Sequence, residues 1–140
     1  MTRTIPVALL LAVLIAGCEE RRTAPVEGKE IELSEANFDD IVLGSDVPVL
    51  VDFWAPSCGH CLAIAPVVAE LSVEYDGRLV VGKVNTDHNN PIARQYGVGP
   101  IPHFAVFAKG RVVHSMIGAN EAGLRRMVAD AVSSSATAGQ

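Results

Sequence analysis

Cys58 and Cys61, within Trp54-Ala-Pro-Ser-Cys-Gly-His-Cys61, are the residues whose type and spacing speak most directly of chemistry. They follow an apolar run from Val47 to Ala55 and open a helical pattern that begins at Gly59. The free amides and dipole at a helix N-terminus favour a thiolate over a thiol, which makes Cys58 reactive at neutral pH. Cys61 lies one helical turn on, on the same face and within reach of a disulfide. An outer nucleophile and a shielded inner thiol suit a two-step exchange in which Cys58 forms a mixed disulfide and Cys61 resolves it. The same pair can also be half of a zinc site, although no second pair completes four thiolates. A copper or zinc site that adds His60 or His103 stays open on residue types alone. Two inert core cysteines would not need this spacing.

A chain of 140 residues holds one domain of ordinary size. Apolar residues make up 49% and charged residues 19%, enough for a packed core and against global disorder. The net charge of -5, with no stripe of Lys or Arg, argues against nucleic-acid binding. Three unevenly placed cysteines do not make a disulfide scaffold.

The third cysteine belongs to a different feature. Residues 1–17 carry Arg3 and then an apolar run, Ile5 to Ala16, too short to span a membrane and suited to a cleaved signal peptide. Its end, Ile15-Ala16-Gly17-Cys18, resembles the lipobox of exported bacterial lipoproteins. That resemblance implies cleavage before Cys18 and lipidation of its thiol and new amino group, with several acyl chains giving a stable anchor. An ordinary signal with an incidental cysteine is the plainer alternative. Glu19 after Cys18 is similar to the outer-membrane sorting class, so a periplasm-facing anchor in the inner or outer membrane is expected, the outer slightly favoured. Residues 18–30, polar and containing Pro25 and Gly28, read as the lipidated cysteine and a flexible tether. Residues 133–140 read as a disordered tail.

Between them, residues 31–132 alternate strands and helices. Ile31 to Leu33 reads as a short strand, and Ser34 as the cap of a helix to Leu43 with Phe38, Ile41 and Val42 inward. Val47 to Ala55 has the near-continuous apolar pattern of a strand covered on both faces. Gly59 to Tyr75 follows as a long helix containing Pro66 and closed by Asp76-Gly77. Leu79 to Val84 is a strand, Asn89 to Tyr96 a short helix, and Phe104 to Ala108 with Arg111 to Ile117 a hairpin about Lys109-Gly110. Asn120 caps a last helix to Val132. The order predicts an α/β fold, a mixed sheet with helices on both faces. Asp52 interrupts its apolar strand, where a buried carboxylate is costly unless useful; an acid reaching water at a strand end is the alternative.

Val49-Leu-Val-Asp-Phe-Trp-Ala-Pro-Ser-Cys-Gly-His-Cys61 resembles the active-site strand and loop of the thioredoxin family. Pro66 matches the family's helix proline, Tyr96-Gly-Val-Gly-Pro-Ile-Pro102 is similar to its cis-proline segment, and Gly118 falls at its glycine before the last helix. The resemblance runs from Ile31 to Val132 without a large insertion. It implies the thioredoxin fold, protein thiol–disulfide exchange, and no cofactor beyond the redox-active Cys58–Cys61 disulfide. It makes Asp52 the acid beneath the inner cysteine, a general acid/base, and Lys83 its modulating neighbour, though Lys83 equally suits a solvated strand end. Ile101 and Pro102 become the backbone that meets substrate; without the resemblance Pro102 is an ordinary loop proline. Trp54 and Gly59 fall beside the pair, Trp54 otherwise a lone core aromatic.

The chain departs from reductive thioredoxins at Ser57 and Leu62, where the family usually has Trp and Lys, which removes a flat contact surface and basic charge from the rim. His60 matches the disulfide-isomerase version of the motif and can stabilise the Cys58 thiolate. The expected reduction potential therefore lies between about -270 mV and about -180 mV, the thioredoxin and isomerase values. A measured potential below that of thioredoxin would remove this role from His60. His103 stands where the family often has Thr, and donates to substrate, approaches Cys58 and affects its thiolate, or faces solvent; His88 and His114 need no more than surface positions. The expected protein is a monomeric oxidoreductase, more a reductase or redox carrier than an oxidase or isomerase. It exchanges with exported proteins and is recharged by another protein, since no nucleotide or flavin motif is present. The rival is a copper- or metal-binding module using the pair and His103.

Overall fold

The computed structural model describes residues 25–138. Strands β1 (Ile31–Leu33), β2 (Val49–Trp54), β3 (Val80–Asn85), β4 (His103–Ala108) and β5 (Arg111–Ile117) form one sheet in the order β1-β3-β2-β4-β5. β1, β3 and β2 run parallel, while β4 and β5 are antiparallel to their neighbours. Helices α1 (Gly59–Glu74), α2 (Asn90–Gln95) and α3 (Glu121–Thr137) complete the α/β sandwich.

Alternation along the central strands divides the core in two, because successive side chains point to opposite faces. Leu50, Val81, Phe104 and Val106 meet Ile64, Val68 and Leu71 of α1 and Leu124 and Val128 of α3. On the other face Val51, Phe53, Val84 and Phe107 meet Phe38, Val42 and Ile92. Helices therefore cover both faces, as the apolar pattern of β2 requires.

Three boundaries differ from the sequence expectation. The helix expected from Ser34 to Leu43 is a hydrogen-bonded turn followed by one π-helical turn, Asp39–Leu43. The Ser34 amide donates to Asn37 Oδ1 at 2.8 Å, so the side-chain acceptor at this turn is Asn37 rather than Ser34. The tail expected to be disordered from 133 continues α3 to Thr137. Ser134 and Thr137 donate their hydroxyls to the carbonyls of Asp130 and Ser133, four residues back, so a polar stretch stays helical on a base seated by Ala131 and Val132. The expected tether, 18–30, is fixed at its end: the Lys29 amide donates to Ser72 Oγ at 2.7 Å and its ammonium pairs with Asp76. Cys18 and the signal segment lie outside the described residues. Among the described residues, no helix is long and apolar enough to cross a membrane.

Candidate active site

Hydrogen-bonded β2 ends at Trp54, and a short turn, in which the Cys58 amide donates to the Ala55 carbonyl at 3.1 Å, delivers the chain to α1. Cys58 is the N-cap of α1 and Gly59 its first residue. The amide of Cys61, one of the helix's free donors, points at Cys58 Sγ at 3.2 Å. Cys58 and Cys61 form a disulfide with their α-carbons 5.2 Å apart. Cys58 is half-buried, whereas Cys61 is only 2% exposed. The asymmetry expected of an attacking and a resolving thiol is therefore present. Gly59 and His60 are exposed, and a side chain at Gly59 would meet nothing within 4 Å, so packing does not demand glycine there.

Asp52 lies on the α1-covered face of β2 and is 1% exposed, which removes the solvent-reaching alternative. Neither carboxyl oxygen has a hydrogen-bond partner. Burial pushes its pKa up to about 7; the Lys83 ammonium opposes that rise and the Glu30 carboxylate adds to it. Lys83 sits directly across the ladder from Asp52, with its ammonium 4.5 Å from the centre of the Trp54 ring. Trp54 is thus a platform for the lysine as well as a wall of the site, and its buried indole N–H has no partner.

The Ile101–Pro102 bond is cis, and the pair precedes β4 at the end of the sheet where β2 releases the chain to Cys58. Pro102 is buried and Ile101 half-buried, and the Pro102 carbonyl accepts from the Gly118 amide at 2.9 Å. His103 does not face solvent. It is 8% exposed, stacked edge-on to Phe53, and shares a 2.8 Å hydrogen bond through Nε2 with Ser115 Oγ. Burial lowers its pKa and keeps the ring neutral at pH 7. Among the described residues no three His, Cys, Asp or Glu side chains group to hold a metal ion; Nε2 of His103 is engaged by Ser115, while its Nδ1 is buried without a partner. Nothing here supports the metal-binding alternative.

Two neighbours were missed from the sequence, Ser115 and Glu30. Ser115 becomes visible only once the register of the last hairpin is known. Glu30 carried a weak signal, an acid beginning the alternation that leads into β1.

Known proteins place this geometry. The thioredoxin family profile matches residues 29–130. The chain is 49% identical to thioredoxin 1 of Nostoc sp. over 88 residues, covering 63% of this chain and 82% of that protein. It is 44% identical to the thioredoxin of Chlorobaculum thiosulfatiphilum over 92 residues, 66% of this chain and 85% of the other. It is 44% identical to the chloroplastic M-type thioredoxin of Chlamydomonas reinhardtii over 99 residues, 71% of each. With the fold, the helix-capping Cys58 and the buried Cys61 both inside the matched span, the chain belongs to the thioredoxin family, a thiol–disulfide oxidoreductase whose redox pair is Cys58–Cys61.

Proposed function

We propose that this oxidoreductase works in the bacterial envelope as a lipid-anchored monomer, reducing disulfides in exported proteins. The observation that carries the chemistry is the unequal exposure of Cys58 and Cys61, together with a buried, unpartnered carboxylate on the α1-covered face of β2. In the reduced enzyme the Cys58 thiolate, favoured by the Cys61 amide, attacks a substrate disulfide. The Cys58–substrate bond forms as the substrate's own disulfide breaks, and one substrate thiolate leaves. Asp52 accepts the proton of Cys61, whose thiolate then attacks Cys58 Sγ. The enzyme disulfide closes and the second substrate thiolate departs. Two electrons pass to the substrate, and a separate protein dithiol must return them. With a pKa of about 7, Asp52 is divided between acid and base at neutral pH, which suits it to both directions. Ile101 and Pro102 border the same end of the sheet and offer backbone to an extended substrate segment.

The sequence Ile15-Ala16-Gly17-Cys18 supports the anchor. So does the path of the chain: β1 runs parallel to β2, so Ile31 enters at the sheet end opposite the one that leads to Cys58. A tether leaving there keeps the disulfide turned away from the bilayer. Trapping tests the reading: a full-length Cys61→Ser variant produced in the bacterium should accumulate mixed disulfides with exported proteins, recovered from membranes and released by reductant. Capture confined to cytosolic proteins, or a fully soluble variant with an unlipidated Cys18, would overturn the envelope assignment. A trapped partner that is itself an oxidant would reverse the direction.

A further inference from the structure

The mechanism above leaves a charged row across the sheet unused. Register places Glu32 of β1 opposite Lys83 of β3, and Lys83 opposite Asp52 of β2. Paired residues share a face, so this acid–base–acid row lies on the α1-covered side. Glu30 extends the alternation by one step. It is half-buried, and its carboxylate lies back against Gly28: a β-carbon on Gly28 would stand 1.7 Å from Glu30 Oε2 and 2.9 Å from the Ala69 β-carbon of α1. With glycine at 28, that carboxylate lies close to the backbone beside Ala69 of α1. Lys29 fixes the backbone at this point through Ser72 and Asp76 at the far end of α1.

One cation, Lys83, thus faces acids from both sides, and it lies over Trp54 instead of closing an ion pair with Asp52. The other elements on this face bring Ile64 and Val68 from α1, Phe104 from β4 and Leu124 from α3, none of them charged; Cys61, buried one turn before Ile64, adds charge only as a thiolate. Glu70, Glu74 and Arg125, on the outer side of the α1–α3 seam, are engaged with one another. Negative charge at Glu30 therefore opposes Lys83 at Asp52, adding to the rise that burial causes.

We propose that Glu30 is a positioning residue for the exchange reaction, acting through Asp52: its carboxylate offsets the pull of Lys83 and keeps Asp52 a strong enough base to take the Cys61 proton. The balance is simple. Cys61–SH and Asp52 carboxylate become Cys61 thiolate and Asp52 carboxylic acid, and the proton passes on to a departing substrate thiolate or to water. Without Glu30 the Lys83 charge favours ionised Asp52, and the transfer becomes less favourable.

The inference rests on Asp52 as the proton acceptor, and its test separates the two. In the reduced full-length domain, the carboxyl carbon of Asp52 is titrated by NMR, and resolution of a preformed Cys58 mixed disulfide is followed against pH. Glu30→Gln should move both midpoints to lower pH by roughly half a unit or more, and Glu30→Asp should restore most of the shift. Glu35→Gln, an exposed acid on the following turn, should leave both in place. An unmoved Asp52 midpoint in Glu30→Gln, or an equal shift in Glu35→Gln, overturns the proposal. If Asp52→Asn resolves at the wild-type rate, the acceptor role fails even where the titration shift is seen.

Discussion

Replacing Asp52 by alanine stabilises the protein by about 3 kcal/mol at pH 8.5 and leaves it little changed near pH 4. The sign follows from the direction of the shift. An aspartate in the unfolded chain titrates near its ordinary value of 3.8, whereas in the fold Asp52 titrates at about 7. Below the lower value both states hold the proton and burial costs no ionisation. As pH rises between the two, the unfolded chain releases its proton and the folded chain keeps it, so stability drains away until Asp52 ionises in the fold as well. Above that point the penalty is constant, ~4 kcal/mol for a difference of ~3 units. Alanine removes the penalty but leaves a small void between β2 and α1, which returns about 1 kcal/mol. Because Asp52 is only 1% exposed, solvent screening does not erode the effect. Urea unfolding of the oxidised domain at the two pH values reads it directly. A loss of stability at pH 8.5, or the same change at both, would show that Asp52 is not held against its own ionisation. The same variant should resolve mixed disulfides about tenfold more slowly or worse at neutral pH. A residue that destabilises the fold while aiding the reaction is the expected mark of a functional acid.

Much of this site is legible without coordinates, for reasons that differ residue by residue. Cys58, Gly59 and Cys61 are adjacent in sequence, and one turn of helix fixes their relation whatever the rest of the chain does. Asp52 declares itself by interrupting Val49 to Trp54, because a strand buried on both faces tolerates a carboxylate only at a cost. His103 and Ser115 are another matter. A regular hairpin about Lys109-Gly110 would pair Ser115 with Phe104, on the α1 face. A bulge at Val106/Phe107 inserts one residue, so Ser115 instead stands opposite Ala105, diagonal to His103 and on its face. One extra residue changes the environment of every side chain beyond it, and nothing in Arg111 to Ile117 marks where the bulge falls. The length of α3 was hidden for the opposite reason. Ser133 to Thr137 has no apolar period, yet a helix already nucleated and packed through Val132 extends into polar sequence at little cost. Glu30 became meaningful only when the parallel register of β1 put Glu32 opposite Lys83 and so set the alternate residues, Glu30 among them, on the face of Asp52.

The largest kinetic effect falls on Cys58, and it should be unequal to that on Cys61. Cys58→Ser abolishes disulfide reduction, a fall on the order of 10³-fold or more, because a serine hydroxyl remains protonated where the thiol ionises and is a poor nucleophile toward sulfur. Cys61→Ser also loses turnover but keeps the first step, so one equivalent of substrate thiol is released and the substrate stays bound to Cys58. The difference comes from position rather than residue type. The Cys58 sulfur is half-buried at the helix cap and faces the Cys61 amide, whereas the Cys61 sulfur is enclosed and meets a partner only after that partner is attached to Cys58. Alkylation of the reduced single-cysteine variants with iodoacetamide should therefore find Cys58 modified quickly at neutral pH and Cys61 nearly inert. Faster modification of Cys61 would exchange the two roles and remove the reason for placing Asp52 behind the inner sulfur. With the expected order, the helix amide ionises the outer thiol before substrate arrives. The buried acid ionises the inner one only when a mixed disulfide is there to be resolved, so the enzyme is slow to reoxidise itself and available to its substrate.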